Sequence, residues 1–418
     1  MNLPLFLARR VRNAPAGSFS RTVTRVGIVS IATGLIALIV AFSVLYGFKR
    51  TIRQKIFLFG AHLQVSKFTN NLSYEETSLP LQTPTYRAAR AGQIAGIEHA
   101  QAVALKAGIL KTTGKTNQPG ELTGVILKGV GADYNWPPFR DALVAGKLPD
   151  FQVDTAGKGY STQVVISRFV ANQLSIAPGQ SVLLYFLGNQ LRGRKMTVTG
   201  IYETGLDEVD RTVIVGDLRL IQRLNNWGAD SVGSYELYVS DFARLDQTYK
   251  TLLSRISPDM RLIRVTDQYR PLFDWMVLLD RNTSVFLVLI LFVASFNMVS
   301  VLLVLMLERT PMIGLLKALG SPDALIRRLF LHIGLNMVFR GLLLGNAIGL
   351  GLCWVQDRFK LIPLDPKNYF MSYVPIEWNW PMIAGLNLAT VGLIAAVLWL
   401  PTLIINRIEP VKALAFKK

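Results

Sequence analysis

The sequence has one cysteine and three histidines among 418 residues, and its 27 acidic residues are outnumbered by 45 basic ones. A single cysteine, Cys353, rules out any disulfide within the chain, so each folded part must be held by its own apolar core. His62, His99 and His332 lie far apart, and none has a metal-ligand neighbour at helical or turn spacing. A nucleotide-binding loop is missing too. Gly108 to Thr116 comes nearest, but it sets five residues between Gly108 and Gly114 where the phosphate loop needs four, and it reads as a hairpin turn. Asp207, Glu208 and Asp210, with Glu203 nearby, lack the ligand order of a calcium loop and read as a solvated cluster. These absences leave no catalytic or metal-binding residue to assign.

What the chain does have is apolar length. Hydrophobic residues make up 51%, charged residues only 17%, and the mean hydropathy is +0.34. Four apolar runs stand out: Val26 to Tyr46, Ser284 to Leu307, about Leu335 to Val355, and Met382 to Ile405. Each is roughly 21 to 24 residues, and at about 1.5 Å per residue that crosses a hydrocarbon core of about 30 Å. The pattern predicts an α+β integral membrane protein with four transmembrane helices and a large two-lobed α+β domain between the first and second. The expected segments are 1–25 basic, 26–48 first span, 49–283 outer domain, 284–307 second span, 308–328 inner loop, 335–355 third span, 356–381 outer loop, 382–405 fourth span and 406–418 tail.

The net charge of +18 does not call for a nucleic-acid partner, because the basic excess flanks the runs. Arg9, Arg10, Arg12, Arg21 and Arg25 precede the first; Arg309, Lys317, Arg327 and Arg328 separate the second and third; Arg407, Lys412, Lys417 and Lys418 follow the fourth. Basic loops stay in the cytoplasm, so both termini are expected there. In the short outer loop, Asp357, Asp365 and Glu377 balance Arg358, Lys360 and Lys367. The first run is about twice the length of a signal-peptide core and Ser43 to Lys49 offers no small-x-small cleavage site, so it reads as a retained anchor.

Within the outer segment, period-2 alternation predicts strands at His62–Phe68, Ala100–Lys111, Leu122–Val130, Val164–Ile166, Ser181–Phe186, Lys195–Tyr202, Val213–Val215, Ser234–Val239 and Met260–Val265. Helices are expected at Thr85–Ala95, Arg168–Leu174, Leu218–Leu224 and Phe242–Ile256. The piece from about 134 to 229 reads as a lobe inserted into one built from both flanks.

The loop after the second run carries the strongest motif. In Glu308 to Pro322, Pro311 suits a first helical turn, Ile313, Leu316 and Leu319 share one face, and Gly320 suits a C-terminal stop before Ser321-Pro322. That spacing predicts a short amphipathic helix at the inner surface, either lying on lipid or seated in a partner.

Glu308-Arg309 followed by Ile313-Gly314-Leu315-Leu316-Lys317-Ala318-Leu319-Gly320 resembles the coupling-helix signature of FtsX-like permeases, the mechanotransmission class of ABC transporters. Three further segments resemble the same family: Asn297 and Ser300 in the second run, Gly341, Gly345 and Gly349 in the third, and Ile405 to Leu414 at the end. Ser30 to Gly34 and Tyr46-Gly47-Phe48 are most similar to its lipoprotein-releasing members. The resemblance implies a permease in the bacterial inner membrane without a nucleotide site of its own, with ATP and Mg bound by a cytoplasmic ABC ATPase dimer. It also implies a second permease protomer, identical or homologous, contact with membrane lipid, and a periplasmic lipoprotein carrier. Lys49 to Leu58 and Tyr269 to Thr283 would continue the first two spans outward as stalks.

One feature departs from that pattern, because the connection Leu187 to Arg194 lacks the proline-rich hook that one subunit type uses to catch the carrier. Export of another substrate in the manner of MacB, and transmembrane control of a cell-wall hydrolase, stay open as alternatives to lipoprotein release. Substrate would enter along Leu38, Phe42 and Leu45, with Phe48 at the outer end, although simple helix packing explains that face equally well. Gly341, Gly345 and Gly349 recur every four residues and would let a neighbouring backbone come close. Arg340 sits near the inner end of the third run and can snorkel, Pro401 should bend the fourth, and Trp378 and Trp380 mark its outer interface.

The charge pattern makes a topological prediction. A cysteine at Asn117 should react with an impermeant thiol reagent from the periplasm and one at Ser321 should not; the reverse labelling would overturn the orientation.

Overall fold

The computed structural model describes residues 19–402 apart from 70–76, 113–120, 133, 153–156, 158, 187–191, 366–368 and 370. The basic stretch through Arg12, the Gly114-Lys115-Thr116 turn, most of the Leu187 to Arg194 connection and the closing motif from Ile405 lie outside the described residues. The chain divides into two compact units: residues 1–51, 275–364 and 372–418, and residues 52–274 and 365–371.

Among the described residues the helices of more than five residues are α1 (Phe19–Phe59), α2 (Pro84–Arg90), α3 (Arg168–Gln173), α4 (Leu218–Leu224), α5 (Leu245–Leu253), α6 (Arg270–Glu308), α7 (Thr310–Ala318), α8 (Asp323–Phe359) and α9 (Trp380–Thr402). Among the described residues α1, α6 and α8 are long and apolar enough to cross a membrane. With 41 and 39 residues, α1 and α6 measure about 60 Å at 1.5 Å per residue, twice a hydrocarbon core. Helix α9 has 23 residues, of which Trp380–Ala396 is the described apolar stretch.

In the first unit, α8 lies directly against α1 through the glycine stripe. A Cβ on Gly341 would come 2.8 Å from the Ile31 side chain, and one on Gly345 would come 3.0 Å from Leu35 and 3.1 Å from the Ala32 carbonyl. Gly349 faces Ile36 and Ile39 at 3.4 Å. Backbones this close exclude lipid and gather dispersion contacts along the whole seam. Ile31, Met298, Val301, Met337 and Ile394 then join four helices in one buried cluster. Some polar side chains in this bundle pair across helices: Asn346 and Asn387 exchange amide hydrogen bonds of 2.7 and 3.0 Å between α8 and α9, and Asn297 donates to Ser30 Oγ at 2.9 Å. At one end Lys49 pairs with Asp280 and Arg50 with Glu377, at 2.5 and 2.6 Å. Arg340 is exposed, and Trp378 donates to Asp357 at 3.0 Å.

Among its described residues the second unit has twelve strands: β1 (Leu63–Lys67), β2 (Leu79–Pro80), β3 (Ile97–Thr112), β4 (Leu122–Val130), β5 (Leu143–Gly146), β6 (Gln163–Ser167), β7 (Ser181–Phe186), β8 (Arg192–Tyr202), β9 (Val213–Asp217), β10 (Ser231–Val232), β11 (Ser234–Val239) and β12 (Met260–Arg264). Ten form one sheet in the order β12-β1-β11-β3-β4-β9-β6-β8-β5, and β7 pairs with both β3 and β8. Those last two pairings close a ring of neighbours, β3-β4-β9-β6-β8-β7, around fully buried Leu110, Leu127, Val182, Leu184, Met196 and Val198. Gly108 makes the closure possible, since a Cβ there would meet the Tyr185 carbonyl at 2.9 Å where β3 takes on β7.

The segment 134–229, expected as an inserted lobe, supplies β5 to β9. The insert is not self-contained. It closes only by borrowing the far ends of β3 and β4 from the flanking chain, because β9 and β7 need partners for their backbone groups.

The α1–α8 seam should not admit a large side chain. Gly345→Leu should prevent close packing and lower the detergent melting temperature, at a cost of about 1–3 kcal/mol or more. Gly351→Ala, on the same helix with nothing within 4 Å, should be neutral or slightly stabilising. Equal effects of the two would refute the seam.

Candidate functional site

The loop between α6 and α8 folds as the sequence pattern requires. Pro311 enters α7 in its first turn, where its missing N–H is no loss. At the other end Gly320 takes the left-handed conformation (φ 82°). Its N–H donates to Lys317 O and the Ser321 N–H to Leu316 O, both at 3.0 Å, which is the Schellman closure of a helix. Lys317 Nζ pairs with Asp323 Oδ1 at 3.0 Å and so ties the end of α7 to the first turn of α8. The ammonium lies at a helix C-terminus and the carboxylate at a helix N-terminus, which favours both dipoles.

The expected apolar face of α7 is divided. Ile313 is fully buried with Leu305, Met306, Ile326 and Phe330, and Leu316 packs half-buried against that cluster. Gly314 is buried beside Ile313, while Glu308, at the end of α6, is exposed and Arg309 is half-buried. Leu319 is 74% exposed, and Leu315, one turn earlier, is 53% exposed. Ile313, Leu316 and Leu319 therefore do not form one free surface, because the first two fill the chain's own core. The large apolar side chains left exposed on this segment are Leu315 and Leu319, and sequence periodicity missed Leu315. A nine-residue helix that is apolar on two sides gives no periodic signal as to which side is covered.

The candidate gateway on α1 divides in the same way. Leu38 is 2% exposed and belongs to the interior. Phe42 and Leu45 are half-buried, with Phe42 stacked on Tyr46 at 6.4 Å, and Phe48 meets the edge of Trp275 at 5.4 Å. A helix drawn close by its partner's glycines buries every side chain on that arc, and Leu38 falls on it beside Leu35 and Ile39.

In the second unit, sequence reasoning missed a buried polar network. Lys128 of β4 donates to Glu236 Oε1 at 2.6 Å and to the Phe59 carbonyl at 2.8 Å. Gln101 of β3 donates to Glu236 Oε2 at 2.8 Å. Burial pushes the Lys128 ammonium down, but Glu236, together with Tyr134 and Tyr269, holds the group above its ordinary value. The one signal was a lysine near the end of an otherwise apolar strand.

The three histidines and the acidic cluster have local partners. His62 Nδ1 accepts from the Val239 N–H at 2.8 Å, and burial lowers its pKa to about 4. His99 meets Gln101 at 3.3 Å, and His332 meets the Arg328 carbonyl. Asp210 accepts from Thr204 and Gly205, Asp207 pairs with Arg211, and Glu203 pairs with Arg168.

Comparison with known proteins gives these features a context. Residues 27–254 match the family model described as MacB-like periplasmic core domain, and residues 284–410 match FtsX-like permease C-terminal. The chain is 25% identical over 426 residues to the lipoprotein-releasing system transmembrane protein LolC of Neisseria meningitidis serogroup B, covering 98% of each chain. It is 22% identical to the protein named LolE from Haemophilus influenzae, covering 99% of this chain and all of that one. Among solved structures, the periplasmic region of MacB from Actinobacillus actinomycetemcomitans aligns with 51% of this chain and 93% of its own at 15% identity, with a TM-score of 0.34. With one family model spanning more than half of the chain and the second its helical C-terminal part, the protein belongs to the FtsX-like permeases that carry a MacB-like periplasmic core domain.

Proposed function

We propose that this chain is the permease subunit of a mechanotransmission ABC transporter that draws lipoproteins out of the bacterial inner membrane and passes them to a periplasmic carrier. The observation that carries this reading is similarity along the full length of both chains to proteins named for lipoprotein release. In this reading the permease works as a dimer with an identical or homologous protomer, spans the membrane four times with both termini cytoplasmic, and binds no nucleotide. A cytoplasmic ATPase dimer holds ATP and Mg and closes against α7. Leu315 and Leu319 enter the ATPase groove, while Ile313, Leu316 and the Lys317–Asp323 pair make α7 move as one piece with α6 and α8. A push on α7 then tilts helices that extend well past the hydrocarbon core. Acyl chains offer few hydrogen bonds, so the gateway for lipoprotein is apolar and weakly selective, with each buried CH₂ contributing about 0.8 kcal/mol. Phe42, Leu45 and Phe48 line it.

Leu319→Asp leaves the fold intact, because exposed substitutions cost within about 0.5 kcal/mol. In a partner groove the same unpaired charge costs roughly 3 kcal/mol, about 100-fold in affinity. The ATPase should no longer co-purify, while the permease melts as the wild type does. An intact complex would mean that α7 lies on lipid.

A photo-crosslinker at Phe42 or Phe48 should capture triacylated lipoproteins in cells, and depletion of the protein should strand them in the inner membrane. Normal lipoprotein sorting after depletion would overturn the substrate assignment and leave the exporter or hydrolase-control readings.

A further inference from the structure

Helix α1 ends at Phe59, and its last carbonyls have no partner within the helix. The Phe59 carbonyl is not left to water. It accepts a 2.8 Å hydrogen bond from the Lys128 ammonium, which is buried in the sheet. The same ammonium is held by Glu236 of β11, and Glu236 by Gln101 of β3. One buried cation therefore joins the helix end to three strands, β3, β4 and β11, which are central in the sheet order.

Stability alone does not explain this choice of residue. A buried ion pair is often no better than apolar side chains of the same volume. The Phe59 ring already has apolar cover from Phe139 and Tyr202, at 5.4 and 5.0 Å. What an apolar residue could not do is hold a carbonyl in one place. The charge-assisted bond is short and directional, and a cation at a helix C-terminus is favoured by the helix dipole. It holds the Phe59 carbonyl at one point of the sheet, which van der Waals contact alone does not do.

We propose that Lys128 is the positioning residue through which displacement of α1 is delivered to the periplasmic sheet: a clamp whose task is transmission, with Glu236 keeping its charge in place. This rests on the transport reading above. Without the clamp the sheet still folds and the ATPase still turns over, but the helix end is then held only by its short connection into β1 and by the Tyr134 hydroxyl on the Leu58 carbonyl, and its displacement reaches β4 and β11 less completely.

The test uses the full permease–ATPase complex in nanodiscs with a triacylated lipoprotein and its periplasmic carrier. Lys128→Met strands Glu236 and should lower the melting temperature by roughly 5–10 °C. Adding Glu236→Gln removes the stranded charge and keeps an acceptor for Gln101, so most of that loss should return. Both forms should hydrolyse ATP within about twofold of wild type, yet release lipoprotein at least tenfold more slowly. Recovery of release together with stability in the double variant would overturn the clamp and leave Lys128 as a mere counter-ion. If the double variant does not fold, amide hydrogen exchange of the wild-type complex decides. Equal protection at residues 56–60 and 125–130 with and without trapped nucleotide supports the clamp, and loss of protection at 56–60 in either state overturns it. A wild-type complex that hydrolyses ATP without releasing lipoprotein would refute the transport reading instead, while the exchange measurement would still judge the clamp.

Discussion

The helical unit depends on the approach of α8 to α1. Three glycines spaced by four residues bring the two backbones within reach of each other, and no side chain larger than hydrogen fits at Gly341 without displacing Ile31. In lipid there is little hydrophobic gain from helix association, so close packing and a few satisfied polar groups must supply the cohesion. The remaining arrangement follows. With α1 and α8 in contact, Leu35, Ile39 and Cys353 become interior, and Met298 and Ile394 bring α6 and α9 into the same core. The reciprocal Asn346–Asn387 bonds then set the register of the last pair.

That packed unit explains why α7 can be both anchored and available. A helix of nine residues is too short to be stable alone. Ile313 and Leu316 fasten one side to α6 and α8, and the Lys317–Asp323 pair prevents the C-terminal end from lifting. Leu315 and Leu319 remain outside because the core is already filled. Under the transport reading proposed above, rigid seating lets α7 pass displacement on, since a loosely held helix would absorb it.

In the other unit the governing constraint is the pairing of backbone groups. Strand β3 is sixteen residues long, and different parts of it serve β11, β4 and β7. One strand thus belongs both to the open part of the sheet and to the closed ring. Lys128 sits where this sheet receives the end of α1, and a buried charge there is tolerated only because Glu236 and the Phe59 carbonyl leave none of its interactions to chance.

By itself the sequence determined the elements. Apolar length marked the membrane helices, short β-prone runs bounded by turn residues located β4, β7 and β11 to the residue, and Gly320 marked the end of α7, because each of these depends on near neighbours in the chain. The family signature in 308–320 was legible for the same reason. Only the tertiary structure decided which side of each element was spent on internal packing. Leu38 and Ile313 look like contact residues in sequence and are core in the fold, whereas Leu315 looks ordinary and is free. The ring through β3 and β7 and the bond from Lys128 to Phe59, 69 positions apart, were equally illegible. Periodicity tells that a face is apolar, but what covers it is settled by residues far away in the chain, through packing that no local pattern encodes.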